Sequence, residues 1–173
     1  LDSEGKKSAL FDGVTAVDQM LSTLSPYLAN TDSVAVYHTD GKNGNKLPAD
    51  FCLNTTGSYV VSVMRDRTDG QEYLVVVNKS FRKEMTADFT VVGNSLDLSA
   101  VTDITSGTPT ALKKNGNGFS LSLKAGGLAV LQFPQGYSAL PAADQKDGKN
   151  LLQDCGASVS SSAGDGRYAY MLN

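Results

Sequence analysis

Apolar positions recur at one period near the start of the chain and at another afterwards. From Ser8 onward, Leu10, Phe11, Val14, Val17, Met20 (with Leu21), Leu24 and Leu28 recur mostly at steps of three and four. That is the period of one helix face. It predicts an amphipathic helix with Ser8 as its N-cap. Pro26 lies near the end, where its missing N–H and fixed φ should distort or stop the helix. A stripe of this size left in water would be an exposed apolar patch. It is therefore expected to pack on the remainder of the chain.

Beyond residue 31 the period shortens. Segments 33–38, 59–66, 72–78 and 85–92 read as strands, followed by shorter ones at 101–104, 110–113, 119–123 and 128–133. Gly- and Asn-rich turns separate them, and Thr68-Asp69-Gly70 between two apolar runs is a hairpin signal. About eight short strands within roughly a hundred residues is the spacing of an antiparallel sandwich. No helices alternate with the strands, which excludes a parallel α/β sheet. The fold class is mostly β: an antiparallel β-sandwich of about eight strands preceded by one amphipathic α-helix. After Pro134 the texture changes again. The expected divisions are a helix at 1–31, a sandwich at 32–134, a linker at 135–149 and the start of a further β module at 150–173.

Composition narrows the function. The 173 residues are 40% hydrophobic and 19% charged, enough for one good core. Net charge is −3, and the basic residues fall in separate pairs: Lys6-Lys7, Arg82-Lys83 and Lys113-Lys114. Nucleic acid and anionic membrane surfaces need a concentrated basic face, so both are set aside. No run approaches the length of a membrane-spanning helix. No signal peptide is visible, and the chain reads as a piece of something longer. Cys52 and Cys155 have no C-x-x-C spacing and no histidine partners, so no zinc site or other metal is expected. An exported protein could join them in a disulfide; the plainer reading is two separate small apolar residues.

Three stretches resemble known glycosidase parts. LDSEGKKSALFDGVTAVDQML (1–21) resembles the last segment of a (β/α)8-barrel glycoside hydrolase, where a turn precedes the final helix. Residues 33–133, with EYLVVVNKS, VTDITSG and SLKAGGLAVLQF, resemble the β-sandwich that follows such barrels. Residues 150–173 are similar to the opening of a discoidin-type (coagulation factor 5/8) carbohydrate-binding module. The resemblance implies a secreted, periplasmic or cell-surface bacterial enzyme as parent. In that parent the missing barrel does the chemistry and this chain supports it. The implied partners are that barrel and, secondarily, an oligo- or polysaccharide. No cofactor is implied.

The candidate residues agree with a non-catalytic role. Glycosidic cleavage needs two carboxylates facing one bond. Glu4, Glu72 and Glu84 are the glutamates, and none sits in a matching motif; each reads as a solvated surface residue. His38, the single histidine, lies at a strand end beside Asp40, with no nucleophile elbow anywhere. It is expected to bond to Asp40 or to nearby backbone. The 40–45 loop has Asp and Asn, but Lys42 breaks a calcium pattern. Sugar contact needs exposed aromatic faces. Phe81, in a loop, and Tyr59 and Tyr73, if they face out, are the candidates. Asn54-Thr55-Thr56 and Asn78-Lys79-Ser80 match a glycosylation sequon, a short pattern expected by chance. The leading reading is an accessory sandwich, and the alternative is a carbohydrate-binding module.

Overall fold

The computed structural model describes residues 4–7, 10–42, 44–93 and 96–140. Ser8, Cys155, most of the expected linker and the expected further module lie outside the described residues. Helix α1 spans Phe11–Leu28. Ten strands follow: β1 Thr31–His38, β2 Leu53–Thr55, β3 Tyr59–Asp66, β4 Glu72–Asn78, β5 Met85–Val91, β6 Thr102–Asp103, β7 Thr110–Ala111, β8 Lys114–Asn115, β9 Gly118–Leu123 and β10 Leu128–Gln132.

They form two sheets, one ordered β1-β3-β4-β10-β6-β7 and one ordered β2-β5-β9-β8. Every strand pairing is antiparallel. The sandwich is the fold expected, with two more strands. β2 and β8 were not foreseen: three and two residues are too short for a period to register.

Alternation puts one set of side chains from each sheet into the core. Val61, Val63, Leu74, Val76, Ala129 and Leu131 come from the larger sheet. Ala87, Phe89, Phe119, Leu121 and Leu123 meet them from the smaller one. Phe89 and Phe119 are direct cross-strand partners, and their rings stack with centroids 5.1 Å apart. Gly118 precedes Phe119 because a methyl group there would overlap the Phe89 carbonyl.

The helix departs from expectation at both ends. Leu10 stands at the N-cap position and supplies no side-chain cap bond. The helix continues past Pro26 and closes with the Ala29 N–H donating to the Ser25 carbonyl at 3.0 Å. Pro26 lacks the N–H that would bond back to Ser22, and only two helical residues follow it.

The first part of the expected 135–149 linker, residues 135–140, is described. Ala139 and Leu140 are buried in the sandwich core, and the Tyr137 ring lies 5.4 Å from that of Phe133. Tyr137, Ala139 and Leu140 thus pack on the sandwich core.

Candidate functional site

Four of the six large hydrophobic residues exposed among the described residues lie along helix α1 and its N-cap. At about 100° per residue, Met20, Leu24 and Tyr27 share one face. That face packs on the outer side of the larger sheet, with Leu24 buried against Tyr73, Ile104 and Val130. The Tyr27 hydroxyl donates to the Gly107 carbonyl at 3.0 Å. Leu10, Val14, Val17 and Leu21 fall on a neighbouring face and stay 52–77% exposed. The expectation that this stripe packs on the sandwich is overturned for those four residues. The physical reason is direction: they lie roughly 90° round the helix from Met20, Leu24 and Tyr27, which face the sheet. Leu10, Val14, Val17 and Leu21, with Gly13 and Asp18 beside them, line one shallow apolar recess.

The three aromatic candidates do not form a row. Tyr59 is buried and points into the core, its hydroxyl donating to the Thr86 carbonyl at 2.8 Å. Tyr73 is on the outer side of the same sheet but lies under α1, edge-on to Tyr27 with centroids 6.3 Å apart. The expectation that these two face out is corrected. Both faces of the larger sheet are covered where these residues sit. Phe81 is 76% exposed, and the Arg82 guanidinium lies 5.1 Å from its ring centroid.

The Phe81 loop is held firmly from below. Asn78 is buried, and its amide donates to the carbonyls of Lys83, Leu123 and Lys124 at 2.8, 3.2 and 2.9 Å. Its oxygen accepts from the Ser80 N–H at 2.8 Å. Every hydrogen-bonding group of this side chain is engaged within the fold, which leaves no nitrogen free for a glycan.

Glu72 was read as solvated and is 2% exposed, so that reading is overturned. Arg65 donates twice to its Oε1, from Nε at 3.0 Å and Nη2 at 2.7 Å. The Ala139 N–H donates to Oε2 at 2.7 Å. A buried carboxylate is stable only when paired and bonded in this way. Glu84 is exposed and accepts from the Ser122 hydroxyl at 2.7 Å, and Glu4 pairs with Lys6 at 2.8 Å.

Around the 40–45 loop, Asp40 accepts from Ser58 Oγ at 2.7 Å, from Lys79 Nζ at 2.9 Å and from the Lys42 N–H at 3.0 Å. The Ser58 hydroxyl first, then Lys79 and the Lys42 amide, hold this carboxyl well below the usual carboxylate range. Of the two partners expected for His38, Asp40 is not one: its carboxylate is taken by Ser58, Lys79 and Lys42. The His38 N–H donates to the Asn45 carbonyl at 2.6 Å, while buried Nδ1 has no partner among the described residues. The loop closes tightly here, because Gly44 lies so near the imidazole that a methyl group would overlap it.

Asn78 and Glu72 are the residues that sequence reasoning missed. The signal was parity: Glu72, Leu74, Val76 and Asn78 alternate onto the core side of β4. The second recess, about 150 Å³, lies over β5 and β9 beside Asp88, Asn115 and Ser120. It is smaller than pockets that enclose ligands.

No family model and no curated protein matches this chain. One solved structure overlaps it, a Bacteroides fragilis protein provisionally named an α-galactosidase/melibiase. The sequences are 23% identical over a match covering 50% of this chain and 16% of that one. The TM-score is 0.34, too low for the two folds to be equated.

Proposed function

We propose that this chain is a non-catalytic accessory β-sandwich of a secreted glycoside hydrolase, supporting a catalytic barrel through helix α1. The observation that carries this reading is the helix itself. One face is docked on the sandwich by Leu24, and the next face holds Leu10, Val14, Val17 and Leu21 in water. A helix apolar over two adjoining faces is shaped to lie between two bodies. The resemblance of 1–21 to a final barrel helix supports a barrel as the second body. The glutamates support the same view. Each is engaged in a local bond or ion pair, with Glu72 committed inside the fold.

A sugar-binding role is the second reading, and Phe81 is the observation in its favour. It is an exposed ring on a loop that Asn78 holds rigid. Both readings are tested by titrating the chain with a panel of soluble plant, fungal and host polysaccharides by calorimetry, while assaying hydrolysis. Neither binding nor hydrolysis is expected. Binding that Phe81→Ala abolishes would replace the first reading with the second. Hydrolysis by the purified chain would overturn both.

A further inference from the structure

Residues 113–118 read Lys-Lys-Asn-Gly-Asn-Gly, so two Asn-Gly pairs stand in tandem. The fold holds them differently. β8 ends at Asn115, Gly116 and Asn117 make the turn, and β9 begins at Gly118. Lys114 pairs with Phe119, and Asn115 with Gly118. β8 is two residues long and stands at the end of the smaller sheet, with β9 as its one neighbour there. Asn115 is exposed, and no hydrogen bond holds its side chain among the described residues. Gly116 has a φ of 58°, in the region that favours glycine, and a methyl group there would meet nothing within 4 Å. Asn117 is tied down. Its amide donates to the Val91 carbonyl at 3.3 Å, and its own carbonyl accepts from the Val91 N–H at 2.9 Å. Gly118 is buried, paired with both Asn115 and Thr90, and lies against the Phe89 carbonyl.

We propose that Asn115 is a site of spontaneous deamidation through a cyclic imide closed by Gly116, and that Asn117 is shielded from the same reaction. Water is the only co-reactant. The Gly116 backbone nitrogen, having given its proton to hydroxide, attacks Cγ of Asn115. The N–Cγ bond forms, the Cγ–Nδ2 bond breaks, and ammonia leaves with a proton from water. A second water then opens the ring at either carbonyl. One product is aspartate. The other is isoaspartate, in which the backbone runs through the side chain and is one methylene longer. Attack requires the chain about Asn115 to turn out of its extended pairing. A short edge strand opens locally at little cost, and glycine brings no side chain to block the nitrogen. At Asn117 the same movement would break both bonds to Val91 and pull Gly118 from between two strands. Either product places a carboxylate beside the recess that Asp88 also lines. Isoaspartate in addition breaks the register of Asn115 with Gly118, which loosens β8 from β9.

The test incubates the full chain in mildly alkaline buffer, folded and in denaturant, and follows the tryptic peptide 115–124 by mass spectrometry with fragmentation. That peptide carries both asparagines, and chromatography separates its aspartate and isoaspartate forms. In denaturant the two positions should convert at similar rates, because each is an Asn followed by Gly. In the folded chain Asn115 should convert roughly tenfold or more faster than Asn117, the effect of the bonds that hold Asn117. Equal rates in the folded chain would overturn the proposal, and so would faster conversion at Asn117. An Asn115 that stays intact in the folded chain while the denatured chain converts would overturn it as well.

Discussion

Asn78 shows how much one polar side chain can organise. Its amide joins the end of β4 to the following loop and to the end of β9. Asn78→Ala should remove the bonds to these three carbonyls, of which that of Lys124 keeps the Gly127 N–H, and cost about 2–4 kcal/mol, measured by denaturant unfolding. Asp40 sets a pH dependence. Its folded pKa lies below the unfolded value, so its contribution is complete above about pH 4 and is lost as pH falls toward the folded value. Unfolding curves taken from about pH 5 downward should therefore show the stability gap between wild type and Asp40→Asn narrowing with acid. Asp32, Asp66 and Asp97, also lowered by their hydrogen bonds, keep some slope in the variant. At this scale the sequence was only half readable. Phe81 could be placed in a loop from its neighbours alone. For Glu72 parity along β4 gave its side of the sheet, but not its partner, because the backbone that catches its Oε2 belongs to Ala139, distant along the chain.

Elements were legible where the period ran long enough. β3 and β4 have the bounds that alternation and the Thr68-Asp69-Gly70 turn predict. β8 hides in a Lys/Asn/Gly-rich turn and exists only because β9 pairs with it. Helix α1 was recognised, yet its stripe was read as one surface, whereas the fold divides it into a docked edge and a free one. That division makes a sharp contrast. Leu24→Ala should cost about 2–4 kcal/mol, because Leu24 is 3% exposed and fills the space over Ile104 and Val130. Leu21→Ala should stay within about 0.5 kcal/mol, because its side chain already stands in water. Paired thermal melts of the two variants check both. Equal losses would mean that α1 docks differently from the contacts described here.

For the whole molecule, the question is what a sandwich gains from carrying an apolar helix edge in water. It gains no stability of its own, since Leu10, Val14, Val17 and Leu21 touch little of the fold. The sequence could not reveal this, because a helix stripe has the same period whether one body covers it or two. If the edge exists for a barrel, its replacement should be silent in this chain and harmful in the longer polypeptide. Val14→Asp with Leu21→Asp should shift the unfolding free energy of the isolated chain by no more than about 1 kcal/mol, since exposed substitutions are usually near neutral. In a polypeptide that joins the chain to its barrel, the same pair buries two carboxylates in an apolar contact, which is costly without partners. The barrel's melting temperature should then fall while that of the sandwich holds, as two calorimetric transitions would show. A pair of changes silent in both settings would mean that this edge of α1 contacts no barrel, and the supporting role would have to rest on another surface.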